Sequence, residues 1–242
     1  MCDLKLNPKN HSFRSYGWVL LFITISLVLI SCTPANTQTA TPTSSPTPEP
    51  RLEGTIVAIG DSLTEGLGVE PELAYPARLA RKLQENGYYF EVINAGISGE
   101  SSSGTLSRID WILGSLDPDI VILETGPNDG LRGVDPAVTE ENLTKIITKL
   151  KSENRTVVLA GMQIVLNMGS EYTSAFSEIY PRVADQQGVI LIPFFLEGVA
   201  AEQHLNQPDG VHPTAEGYEV ITETVYPYVV EAIKIWRANH SP

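Results

Sequence analysis

A three-layer α/β/α fold is predicted for this chain, on three observations. Five short apolar, β-branched runs recur at 55–59, 88–93, 120–123, 156–160 and 189–192, several of them apolar almost throughout, as strands covered on both faces must be. Segments of helical spacing lie between them, and strand alternating with helix specifies a five-stranded parallel sheet with right-handed crossovers and helices on both faces. The 242 residues are 42% apolar and 19% charged, enough for one sizeable core, which excludes collagen-like, coiled-coil and wholly disordered chains.

In chain order, Lys5, Lys9 and Arg14 precede an uncharged apolar run at 17–30, followed by Ser31 and Cys32. This is the pattern of an export signal: a basic start, an apolar stretch and small residues at a cleavage site. Fourteen residues at 1.5 Å each cover roughly 21 Å, short of a ~30 Å hydrocarbon core. Residues 33–50 hold thirteen Thr, Ser or Pro and no large apolar side chain, so they predict an extended, Pro-stiffened spacer. The organisation expected is therefore a signal at 1–31, Cys32 with its linker to 50, and one globular domain at 51–242.

Within that domain, Tyr75, Leu79 and Leu83 space a helix ending before Gly87. Leu143, Ile146 and Leu150 space another behind Asp135 as N-cap and Pro136 at the first helical position. Tyr218, Ile221, Val225, Val229, Ile233 and Trp236 space a last helix, with a kink expected at Pro227. Formal net charge is −13 with scattered Lys and Arg, and loss of residues 1–31 would leave −15, so a nucleic-acid partner is not expected. Cys2 and Cys32 are the two cysteines, and both precede the domain, so neither a disulfide framework nor a thiolate zinc site is expected in it.

Ligands of such folds sit beyond the carboxyl ends of the strands, and the chain's polar clusters fall there. Ser62 follows the first strand in Gly60-Asp61-Ser62-Leu63, where Gly60 is expected to let the chain turn sharply. Asp209-Gly210-Val211-His212 sets a carboxylate three residues before an imidazole, so one short turn can hold the ring in one tautomer and leave its other nitrogen to take a serine proton. His11 and His240 are terminal, and His204 has only Glu202 nearby. Gly99 would allow close backbone approach to an oxyanion, and Asn128, in Gly126-Pro127-Asn128-Asp129-Gly130, could donate a side-chain N–H. Each piece is ordinary turn or cap chemistry by itself. What singles them out is their arrival at successive sheet-edge loops.

Gly60-Asp61-Ser62-Leu63, Gly99, Gly126-Pro127-Asn128-Asp129 and Asp209-Gly210-Val211-His212 resemble, in order, the four blocks of the SGNH, or GDSL, hydrolases, over about residues 54–238. The nearer likeness is to the bacterial acyl-CoA thioesterase I, lysophospholipase or arylesterase branch. It rests on Ile97-Ser98-Gly99-Glu100-Ser101, Asn128-Asp129-Gly130-Leu131-Arg132-Gly133, Ala175-Phe176-Ser177-Glu178-Ile179-Tyr180-Pro181 and Ile192-Pro193-Phe194-Phe195. Pro127 departs from it, standing where this branch commonly has a second glycine, and should stiffen the loop carrying Asn128. The resemblance implies a flavodoxin-like fold. It also implies Ser62 as nucleophile, His212 as general base then acid, and Asp209 as its orienting carboxylate. The oxyanion hole it implies is made of Ser62, Gly99 and Asn128, with no metal or organic cofactor.

Leu131, Val134, Met162, Ile164 and Leu166, following the third and fourth strands, are expected to line an acyl channel. Leu29-Ile30-Ser31-Cys32 resembles the bacterial lipobox, implying cleavage before Cys32, a lipid on its thiol and a membrane-anchored domain facing periplasm or exterior. Acyl-CoA is absent there, so aryl or phospholipid-derived esters are favoured as substrates over thioesters. The competing expectations are a carbohydrate O-deacetylase with a shallow polar cleft and a ligand-binding lipoprotein without catalysis.

Overall fold

The computed structural model describes residues 51–152, 154–164 and 168–240. The expected signal, the lipid-bearing Cys32 and the linker lie outside them, as does Leu166. The chain opens with β1 (Gly54–Gly60), a single turn α1 (Ser62–Glu65), a 3-10 turn at Pro71–Leu73, α2 (Tyr75–Glu85) and β2 (Phe90–Gly96). It continues through α3 (Ser102–Leu116), β3 (Ile120–Leu123), α4 (Pro127–Leu131), α5 (Pro136–Lys151) and β4 (Thr156–Ala160). It ends with α6 (Ser170–Ser177), α7 (Ile179–Gln187), β5 (Ile190–Ile192), a 3-10 turn at Gln203–Leu205 and α8 (Ala215–His240).

The five strands form one parallel sheet in the order β2-β1-β3-β4-β5. Ile56, Val57, Ala58 and Ile59 of β1 and all of β3 are fully buried, because helices cover both faces. On one face α2 packs with α8; on the other α5 packs between α3 and α7. The chain leaves β1 to one side for β2 and returns to the other for β3, so the sheet reverses direction between β1 and β3. That reversal opens a crevice at their carboxyl ends.

Local sequence explains most element ends. Asp135 Oδ1 accepts the Ala137 N–H at 2.9 Å, and Pro136, lacking an N–H, occupies the first position of α5. β2 runs three residues further than the apolar pattern, to Gly96, since Asn94, Ala95 and Gly96 pair in register with Ala58, Ile59 and Gly60. α8 runs as one helix through Pro227, the position where a kink is expected, with buried Val225 and Val229 on either side of it. Among the described residues, no helix is long and apolar enough to cross a membrane.

Candidate active site

Ser62 is the first residue of α1, only 8% exposed, on the turn leaving the buried end of β1. Asp61 caps that turn, its Oδ1 accepting the Leu63 N–H at 2.9 Å. Gly60 is needed for a reason other than the one expected. Its φ is not left-handed; instead a Cβ there would collide first with the Thr64 hydroxyl, and would stand 2.5 Å from Glu124 Oε2 and 2.7 Å from the Glu124 carbonyl oxygen. The nucleophile turn lies directly on the residue that follows β3.

The Asp209–His212 segment is a closed local loop. An antiparallel bridge joins Asn206 to Pro213, and the Gln207 N–H donates to the His212 carbonyl at 2.7 Å. Asp209 Oδ1 accepts the N–H groups of Val211 (2.9 Å) and His212 (3.0 Å), while Oδ2 lies 2.8 Å from His212 Nδ1. These bonds, the His212 backbone N–H foremost, then the ring and the Val211 N–H, hold the Asp209 carboxyl down to about 2. With Asp209 ionised, Nδ1 carries the ring proton. Nε2 is left as acceptor, and Ser62 Oγ stands 2.9 Å from it. Gln207 braces the loop against the nucleophile turn, donating to the Leu67 carbonyl at 2.7 Å and the Pro213 carbonyl at 2.9 Å.

Gly99 adopts φ +75°, a left-handed conformation that suits glycine, on the loop after β2. That loop is tied on three sides. The Ser98 N–H donates to Glu65 Oε2 at 2.8 Å, as does the Ser98 hydroxyl; Arg132 Nη2 donates to the Gly99 carbonyl at 2.8 Å; and Asn128 Nδ2 donates to the Glu100 carbonyl at 3.1 Å. The N–H groups of Ser62 and Gly99 have no acceptor among the described residues. Asn128 differs, since its amide also donates to Asp61 Oδ2 at 2.8 Å, so donation to an oxyanion must be shared with or taken from one of two existing acceptors. Pro127 is accommodated as the first residue of α4, and buried Asp129 fastens that helix to α3 by accepting the Ser102 N–H (2.7 Å) and hydroxyl (2.8 Å).

Four of the five residues expected to line an acyl channel are described, and they differ in exposure. Leu131 is 55% exposed, whereas Met162 and Ile164 are buried in the main core, Ile164 packing against Gly130 behind α4. Val134 is half-buried, its carbonyl accepting the Tyr172 hydroxyl at 2.7 Å. Exposed apolar side chains do occur close in sequence to the site residues, and sequence reasoning missed three of them. Leu67, Ile97 and Val211 join Leu131, one on each loop carrying Ser62, Gly99, His212 and Asn128. Their spacing from those residues was the available signal. Glu124 was missed as well; the signal was a carboxyl directly after a wholly apolar strand.

The sequence profile of the GDSL-like Lipase/Acylhydrolase family matches residues 58–220, which spans all these loops. The chain belongs to that family. This GDSL hydrolase is 40% identical to Esterase TesA of Pseudomonas aeruginosa over 173 residues, 72% of this chain and 86% of that protein. It is 36% identical to an arylesterase of Vibrio mimicus over 201 residues, covering 83% and 94% of the two chains. The solved structure of the psychrotrophic esterase EstA from Pseudoalteromonas sp., inhibited by monoethylphosphonate, matches this GDSL hydrolase with a TM-score of 0.72 at 30% identity, over 75% of this chain and all of that one. Like these relatives, the protein is a hydrolase acting on esters.

Proposed function

We propose that the protein is a serine esterase working through an acyl-enzyme on Ser62. One observation carries the reading: the unbroken chain from Ser62 Oγ to His212 Nε2 at 2.9 Å and from Nδ1 to Asp209 Oδ2 at 2.8 Å. Ser62 Oγ attacks the acyl carbonyl while its proton passes to His212 Nε2. The imidazolium so formed is stabilised by Asp209, and the oxyanion by the Ser62 and Gly99 N–H groups with the Asn128 amide. His212 then protonates the departing alcohol, phenol or thiol, and in the second half takes a proton from the water that releases the acid and restores Ser62.

The substrates we assign are aryl or lysophospholipid-type esters, with thioesters as a further class. Leu67, Ile97, Leu131 and Val211 favour an apolar ester over a carbohydrate acetate, because a polar sugar gains nothing from an apolar rim. Lipidation at Cys32, export, and a membrane-anchored domain facing periplasm or exterior belong to the same proposal. They rest on the lipobox-like Leu29-Ile30-Ser31-Cys32.

The test is hydrolysis of p-nitrophenyl acetate, octanoate and palmitate by the full chain, with Ser62→Ala alongside. Turnover that vanishes in the variant and peaks at octanoate or longer is expected. A maximum at acetate would favour an O-deacetylase, and turnover surviving in Ser62→Ala would overturn the mechanism.

A further inference from the structure

Glu124 is fully buried beneath the nucleophile turn, and the mechanism above gives it no part. Its Oε2 accepts the Asp61 N–H at 3.2 Å and the Thr64 hydroxyl at 2.9 Å, and its own N–H donates to the Ile59 carbonyl at 2.8 Å. Oε1 is buried with no hydrogen-bond partner among the described residues. Asp61, 1% exposed, shares this space, but both its oxygens have donors, Leu63 N–H on one and the Asn128 amide on the other. Of the two carboxyls Asp61 is thus the better-solvated anion. An unpartnered anionic oxygen costs far more than an unpartnered neutral one, so these contacts favour Glu124 over Asp61 as the carboxyl that holds a proton.

We infer that Glu124 is a positioning residue for the ester hydrolysis proposed above: as an uncharged acid it pins Asp61 N–H and Thr64, so that Ser62 faces His212 without a second negative charge beside the oxyanion donors. Burial, and after it the Asp61 charge, pushes the Glu124 carboxyl well above the ordinary carboxylate range. The other groups facing it are neutral phenols: Tyr75 at the start of α2, Tyr180 on α7 and Tyr218 on α8, each pushed up chiefly by burial. Arg108 reaches the Gly60 carbonyl from α3 at 3.5 Å, but its guanidinium is engaged by Glu100 at 2.7 Å.

The experiment measures kcat and KM of the full chain on p-nitrophenyl butyrate across pH, for wild type, Glu124→Leu and Glu124→Gln. Glu124→Leu should lower kcat about 10- to 100-fold with KM within about threefold, because the reacting groups are misplaced while the ester still binds. Glu124→Gln, isosteric with the neutral acid, should restore most of that loss. It should also flatten any alkaline fall in kcat, since an amide cannot ionise whereas the three tyrosines are unchanged. Equal losses in both variants, or full kcat in Glu124→Leu, would overturn the inference. Should Glu124→Leu fail to fold, the infrared difference between wild type and Glu124→Gln at neutral pH decides. A protonated-carboxyl carbonyl band in the wild type supports the inference, and a carboxylate band in its place overturns it. This band is read without turnover, so a wild type inert on esters would sink the hydrolytic reading separately.

Discussion

The nucleophile turn and the Asp209–His212 loop meet across 2.9 Å, yet they are built in opposite ways. Ser62 is 8% exposed on a turn held by residues distant in sequence: Glu124 beneath Asp61, Asn128 on the Asp61 carboxyl and Gln207 on the carbonyl of Leu67. Asp209 has a side chain 48% exposed and takes its bonds from its own loop, at Val211 and His212. One half of the site depends on the packed sheet edge, the other on four consecutive residues. Loss of the groups that hold the first half in place should therefore reach stability as well as turnover, whereas changes in the second half, or to the Ser62 hydroxyl that only faces it, should reach chiefly turnover.

The largest effect expected is on turnover. Ser62→Ala and His212→Ala should each lower ester hydrolysis about 10³-fold or more with thermal unfolding nearly unchanged, checked by steady-state rates beside a melting curve. Asp209→Asn should come next, costing about 10²-fold or more in kcat because the ring loses its anionic partner; unchanged kcat would show that the loop alone orients His212.

Thr64→Val probes the other half. Thr64 is fully buried and donates to Glu124, so its loss should cost about 1–3 kcal/mol in urea unfolding, whereas a destabilisation confined to the Asp209 variant would reverse the contrast drawn above. The smallest effect concerns acid. Asp209 titrates at about 2 in the fold, below its ordinary 3.8, so its contribution to stability is present above the ordinary value and is lost as pH falls from about 4 to about 2. Solvent screens that half-exposed carboxylate, so Asp209→Asn should flatten the acid limb of an unfolding profile only slightly.

The contrast also explains what could be read without coordinates. Asp209 and His212 were legible because three-residue spacing in a Gly-containing turn already brings the two side chains together. Ser62 was legible from its place after a buried strand, and β3 and β4 fall on the apolar runs because strands covered on both faces leave no polar alternation to misread. α3 was not singled out. Its Gly104, Gly114 and four serines mask the Thr105, Ile109 and Ile112 stripe that packs it. The end of β2 was misplaced because Asn94 looks like turn chemistry, although its side chain serves α1, donating to the Thr64 carbonyl at 2.9 Å. Met162 and Ile164 were legible as apolar, but apolarity does not separate a channel wall from a core residue.

The sequence by itself determined the alternation of strand and helix, the α5 cap and the Asp209–His212 pair, since each depends on contacts a few residues apart. Only the tertiary structure decided that Gly60 is demanded by the closeness of Thr64 and Glu124, that Asn128 is already committed to Asp61 and Glu100, and that Leu67, Ile97, Leu131 and Val211 are exposed near the site residues of their own segments. The physical reason is that a parallel sheet brings together strand ends far apart in the chain. Which side chains meet there, and which of them keep a proton in the space they share, is set by packing.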